Sequence, residues 1–251
     1  MDRFLQTAAN FMRSTSDSNA VIANNIANIS TVGFVADVDP GFKSLYVSAE
    51  NTLNSRVVTG QIATAIDIKP GALDNTGNPL DVAVQDADGF MLGIGSDGNT
   101  VFTRRGDFSI GVDGVLYNGD GIAMMGDGAP ILIPSYKRIS IESDGRISVL
   151  PQGSRDSEKM TVVGRLGLVR VSLGSLIRRQ DGQLVSSTEE IPPLSAEIRV
   201  LSGHLQKSNV DIVDAMVAMI ENTRQYEASV KILKTAESTD DSGVTLVRIP
   251  N

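Results

Sequence analysis

The sequence predicts an α+β fold: a discontinuous terminal-helix coiled-coil core made by both chain ends, with an antiparallel β domain inserted between them. Three observations predict it. The first 29 residues hold no Gly or Pro and repeat apolar positions by alternate steps of four and three. A second such seam runs near the C-terminus. Between the two lie Asp-Gly pairs flanked by residues that alternate apolar and polar.

In the first segment the seam is Phe4, Ala8, Phe11, Thr15, Ser18, Ile22, Asn25 and Ile29. It lasts nearly four heptads and is polar in its middle. A helix over residues 1–29 would be about 43 Å long. Asn24, Asn25 and Asn28 sit on or beside the seam. Such residues fix register and partner choice in helical assemblies, or lie exposed at a frayed end. Gly33 is expected at positive φ after the helix, with Phe34 packing back as an anchor.

Residues 35–70 mix Gly, Pro, Asn and Thr with short apolar runs such as Val57-Val58 and read as an extended connection with some strand. From 71 to 202 the pattern is β. Asp-Gly pairs stand at 88–89, 97–98, 113–114, 120–121, 127–128, 144–145 and 181–182. Phe108, Ile110 and Val112 precede one pair, and Val115 and Tyr117 follow it. Ile139 and Ile141 precede another, and Ile147 and Val149 follow. These pairs are expected as type I′ hairpin turns, with positive φ at both central residues, in a meander or irregular barrel.

The C-terminal helix is expected over 209–235. Ser208-Asn209 offers N-cap candidates, and Asp211 and Asp214 suit the first turns. Its seam is Ile212, Met216, Met219, Thr223, Tyr226, Val230 and Leu233, widened by Val213, Val217 and Ile220. The domains are thus 1–34 with 203–251 for the helical core, 35–70 for the connection and 71–202 for the β domain. The tail 240–251 carries no assigned role.

Composition excludes several function classes. There is no Cys and a single histidine, His204, so neither a thiolate nor a histidine-rich metal site can be built. A Ser-His-Asp arrangement would have to use His204, which reads better as a surface residue. The net charge of −8 disfavours nucleic acid. Arg104-Arg105 and Arg178-Arg179 are short basic pairs that read as solvated strand ends. No apolar run is long enough to span a membrane, and Met1 to Thr7 lack the apolar core of a cleaved signal. Asp86-Ala87-Asp88-Gly89 starts like a calcium loop but lacks its spacing, so turn chemistry explains it. A hydrolase using Asp86 and Asp88, or a glycan-binding adhesin built on the sparse Phe and Tyr, ranks behind a structural role.

The seams alone leave two readings open: an intramolecular helical hairpin, or helices completed by other copies. The apolar residues of the first seam are few for the length of chain they must order.

Ala27-Asn28-Ile29-Ser30-Thr31-Val32-Gly33-Phe34 resembles the N-terminal motif of the flagellar basal-body rod and hook family. Gly71 to Val84 looks like that family's lead into its central β domain. Phe102-Thr103-Arg104-Arg105-Gly106-Asp107-Phe108 is similar to its Y-T-R-x-G-x-F motif. Leu205-Gln206-Lys207-Ser208-Asn209-Val210, followed by Met219-Ile220 and Arg224-Gln225-Tyr226-Glu227, resembles its C-terminal helix motif. The four occur in the family's order. Val163 to Val169 is closer to the proximal-rod branch than to the distal one. Val35 departs from the family, where Lys or Arg is common, so a local contact is expected to differ.

The resemblance implies a structural, non-catalytic subunit without cofactor or metal. Its terminal helices would line a hollow helical shaft that passes torque from motor to hook and lets exported subunits through. Implied partners are other copies, neighbouring rod proteins and the flagellar type III export apparatus, with no nucleic acid and no membrane span. The implied location is the basal-body rod crossing the periplasm, reached without a cleaved signal. The expected assembly interface is Phe4, Phe11, Ile22, Asn25, Asn28, Ile29, Thr31, Gly33 and Phe34 at one end. At the other it is Ile212, Met216, Met219, Ile220, Tyr226, Val230 and Leu233.

Overall fold

The computed structural model describes residues 2–38, 43–46, 57–60, 65–155, 159–172, 174–188 and 190–247; side chains before Ala8 and beyond Thr239 lie outside the description. The chain runs α1 (Asp2–Ala27), β1 (Asp37–Val38), β2 (Lys43–Tyr46), β3 (Val57–Gly60), β4 (Ala65–Ile66), β5 (Leu73–Asn75) and β6 (Val82–Val84). It continues through β7 (Gly89–Ile94), β8 (Thr100–Thr103), β9 (Ser109–Ile110), β10 (Leu116–Tyr117), β11 (Ala123–Met124), β12 (Tyr136–Ile141) and β13 (Arg146–Pro151). The last elements are β14 (Thr161–Arg165), β15 (Leu168–Arg170), β16 (Leu176–Arg178), β17 (Leu184–Ser186), β18 (Val200–Ser202), β19 (His204–Gln206) and α2 (Ile212–Val247).

Helices at both ends and an antiparallel β middle make the fold α+β, as expected. Two compact units divide the chain. One comprises Met1–Ala27, Asp39–Thr64 and Asp211–Asn251; the other comprises Asn28–Val38 and Ala65–Val210. In the first, α1 and α2 pack on one another, and β2 pairs β3 in a hairpin.

In the β unit an eight-stranded sheet follows the order β16-β17-β8-β7-β11-β10-β9, with β15 also on β7. Beside it stand a three-stranded sheet, β12-β13-β14, and the pairs β18-β6, β19-β5 and β1-β4. The strands follow open paths instead of the irregular barrel that was the alternative to a meander. β7 explains why its sequence reads apolar throughout. Met91 enters one core with Val82, Leu116 and Ile147, while Phe90 and Leu92 enter a second with Val35, Phe102 and Leu184. Successive side chains point to opposite faces, and here both faces are covered.

Most of the Asp-Gly pairs do close turns, but in a different geometry from type I′. In Glu142 to Arg146, the Gly145 amide donates to the Glu142 carbonyl at 2.9 Å, and the Glu142 amide to the Arg146 carbonyl at 2.9 Å. The same pair of bonds recurs around Gly98, Gly114, Gly121 and Gly182. The glycine therefore closes the turn at positive φ as a bulge residue, with the aspartate before it inside the turn. At Asp97, Asp113, Asp144 and Asp181 the carboxylate accepts the amide two residues on, as Asp144 does from Arg146 at 3.1 Å, whereas the Ile122 amide donates to the Asn118 side chain instead. Only Asp127-Gly128 sits central in a two-residue loop, between Gly126 and Ala129.

Candidate assembly surfaces

α1 ends at Ala27, and Asn28 to Ser30 form a turn. On α1 the described residues of the seam read from the sequence are covered, Ala8, Phe11, Ser18, Ile22 and Asn25 partly and Thr15 to 3% exposure, but Met12, Ser14, Asn19, Val21 and Ile26 beside it are partly buried as well. The Thr15 hydroxyl donates to the Phe11 carbonyl at 2.9 Å. Phe4 belongs to α1, but its side chain lies outside the described residues.

α2 shows a different line. Its covered residues are Ala215, Ala218, Met219, Asn222, Ser229, Val230, Leu233 and Ala236, with Ser229 fully buried. The Asn222 amide nitrogen donates to the Ser18 hydroxyl of α1 at 2.9 Å. Of the expected seam, Met219, Val230 and Leu233 are partly buried, whereas Ile212, Met216, Thr223 and Tyr226 are exposed, as is Ile220. The reason is that apolar residues surround this helix, so two four-three lines can be read through one segment. The line covered within the chain is made largely of small residues.

The exposed apolar residues are Ile212, Val213, Met216, Val217, Ile220, Tyr226 and Ile232, with Val213 at 65% and Ile220 at 55%. A groove of about 580 Å³ follows Val217, Ile220, Glu221, Arg224, Gln225 and Ala228 along this helix. Among the described residues, no apolar side chain of the helix-bearing unit is fully buried. The N-cap of α2 is Asp211, whose carboxylate accepts the Val213 amide at 2.7 Å and the Asp214 amide at 3.2 Å. Ser208 and Asn209 lie before it.

Asn28, Ile29, Thr31, Gly33 and Phe34 belong to the β unit and are partly buried. The Thr31 hydroxyl donates to the Asn28 side chain at 3.2 Å. Gly33 has φ +67, as expected, and an added Cβ would lie 2.4 Å from the Arg104 carbonyl carbon and from the Arg105 nitrogen. Its amide donates to the Gln206 carbonyl at 2.7 Å. Val82 donates to the Gly106 carbonyl at 2.9 Å, and Lys207 to the Ala72 carbonyl at 2.8 Å. The four motif segments, distant in sequence, thus meet in one knot of backbone contacts.

Asn209 ties the knot. Its side chain accepts the Ala36 amide at 2.7 Å and donates to the carbonyls of Asp67 at 2.8 Å and Lys69 at 3.0 Å. Val35, where a basic residue was the family pattern, is 2% exposed in the core that also holds Phe90 and Phe102.

The arginine pairs are not solvated strand ends. Arg104 is 2% exposed, lies 4.3 Å over the Phe90 ring and donates to the carbonyls of Gly89, Lys69 and Ala87. Burial pulls its pKa down to about 10, against the pull of Asp88 and Asp67. Arg105 binds Asp107 and Asp120, and its pKa rises chiefly through the Asp107 hydrogen bond. Arg179 pairs with Asp97 and Asp181. Arg178 binds Asp37, 141 positions away. Sequence reading missed Asp37, Arg178 and the part played by Asn209, since no local pattern links such distant residues.

Among the described residues no group of three or more His, Asp or Glu side chains could hold a metal ion, and no helix is long and apolar enough to cross a membrane. His204 Nδ1 lies 3.1 Å from the Ser202 carbonyl oxygen.

Residues 201–246 match the family model for the C-terminal part of flagellar basal body rod FlgEFG proteins, and residues 86–149 match that for the flagellar hook protein FlgE/F/G D1 domain. The flagellar basal-body rod protein FlgF of Salmonella typhimurium is 35% identical over 247 residues, covering 96% of each chain. FlgF of Escherichia coli is 34% identical, over 97% of this chain and 96% of its own. FlgG of Bacillus subtilis is 28% identical, over 99% of this chain and 100% of its own.

Proposed function

The chain belongs to the flagellar basal-body rod protein family, and from that premise we propose that its helical ends are the elements through which copies assemble. It is a structural subunit of the bacterial flagellar basal body, associated with other rod components. The stronger agreement with FlgF than with FlgG proteins favours the proximal-rod reading over the distal one. The adhesin reading finds no support.

One observation carries the proposal: the described helix-bearing unit fully buries no apolar side chain, while Val213, Met216, Val217 and Ile220 stand exposed on α2. A helix draws most of its stability from packing an apolar face. An uncovered row of this kind marks a surface that another chain completes. Successive copies would pack these faces into the hollow shaft that carries torque and passes exported subunits, with no catalytic role. The interface expected from the sequence, Phe4 to Phe34 and Ile212 to Leu233, belongs to this proposal. Passage through the type III export apparatus belongs to it too and rests on the family alone.

The test is the full chain with Val217→Asp and Ile220→Asp, compared with wild type for sedimentable polymer and for swimming of cells without their own copy. We expect the variant to stay folded and monomeric and the cells to be non-motile. Normal polymer and normal swimming would refute the proposal.

A further inference from the structure

Within the β unit, Asn28–Val38 has no long ladder to hold it. β1 pairs with β4 through two residue pairs, Asp37 with Ile66 and Val38 with Ala65. The Gly33 amide, the Phe34 and Ala36 carbonyls and the Ala36 amide make single bonds to Gln206, Asn209 and Asp67. One side chain from a distant strand adds several more. Arg178, at the end of β16, donates from Nε to both Asp37 carboxylate oxygens at 2.9 and 3.0 Å. Its Nη2 donates to the Val35 carbonyl and its Nη1 to the Gly182 carbonyl at 2.9 Å. Its guanidinium carbon lies over the Phe34 ring, 4.5 Å from the centroid. The ion pair is well shielded, with side-chain exposures of 13% and 9%.

Three of the four residues from Phe34 to Asp37 are thus held by one guanidinium. Only a planar fork with several fixed donors can bond a carboxylate and two carbonyls while stacking on a ring; a lysine ammonium cannot. The clamp reaches across to the segment that directly follows α1. Any load carried along the chain from α1 enters the β unit through these residues.

We propose that Arg178 is a positioning residue that fastens residues 34–37 to the β unit, and that rod assembly needs this clamp more than the β fold does. The proposal rests on the rod reading above. It predicts that loosening the clamp frees the segment locally and costs motility while the sheets stay intact.

The experiment measures amide hydrogen exchange in the full chain for wild type, Arg178→Lys and Asp37→Asn, alongside swimming of cells that depend on each. In both variants we expect exchange of residues 34–38 to quicken about tenfold or more, with β7, β8, β12 and β13 unchanged and swimming reduced. Unchanged exchange at 34–38, or faster exchange there with normal swimming, would overturn the proposal. So would equal acceleration throughout the β unit in both variants, which would make the pair a general fold determinant. If the wild-type chain itself fails to restore swimming, the rod reading fails, and the exchange data still decide whether Arg178 holds the segment.

Discussion

The β unit and the helix-bearing unit use the same apolar residues to opposite ends. In the β unit, Phe90 and Met91 are neighbours in sequence and both are fully buried, one in each core. In the helix-bearing unit, the described side chains that are fully buried are Thr15 and Ser229, and each donates its hydroxyl to its own helix, to Phe11 and Gln225. Burying a large apolar side chain contributes about 1.5–3 kcal/mol. The β unit collects that contribution within one molecule; α2 leaves Val213 and Ile220 more than half exposed. The difference teaches that one part of the chain buries its apolar residues within itself while the other leaves a row of them exposed, the row that the proposed assembly would cover.

The largest effect should come from moving the border between the units. Deleting residues 1–27 with 211–251 should leave the β unit with an unchanged unfolding midpoint. Deleting 1–38 instead removes buried Val35 and the backbone bonds from Gly33 and Phe34 to Gln206 and Asn209, at a cost on the order of 3–5 kcal/mol in urea unfolding. Equal stability of the two truncations would break the comparison. Next, Gly33→Ala puts a Cβ against the Arg104-Arg105 backbone at φ +67 and should cost about 2–3 kcal/mol, read from the same titration. Asn222→Ala with Ser18→Ala should show a coupling of about 0.5–1.5 kcal/mol in a double-mutant cycle, confined to melting of the helices.

The smallest effect is electrostatic and belongs to the β unit. Hydrogen bonds from Asn99 and Arg179 lower the Asp97 pKa from 3.8 to about 2. Because the folded value is depressed, this carboxylate stabilises the fold above pH 3.8 and loses that contribution as pH falls toward 2. Asp97→Asn should therefore flatten acid unfolding slightly in that window and leave the helices' response unchanged.

How much could be read beforehand follows the range of the forces involved. The α1 seam was legible because Phe11, Thr15, Ser18 and Ile22 share one helical face by spacing alone. Asp-Gly turns were legible in place but not in type, since the choice between a two-residue turn and a bulged one depends on the register of flanking strands. α2 was expected to stop near 235, where Thr, Ser and Asp weaken propensity, yet it continues to Val247. The line it covers within the chain differs from the expected seam because propensity and spacing cannot choose between two apolar faces. The knot of four motifs was visible only as four resemblances. The contacts that join them, such as Gly33 to Gln206 and Lys207 to Ala72, span well over a hundred residues and leave no local trace.

The most direct test is far-ultraviolet circular dichroism of the dilute monomer, corrected by subtracting the β unit alone, followed into assembled polymer. The helical signal of the monomer should fall short of what helices of 26 and 36 residues supply, and should rise to that level on assembly. A monomer that already shows the full signal, unchanged by concentration or partners, would contradict the account.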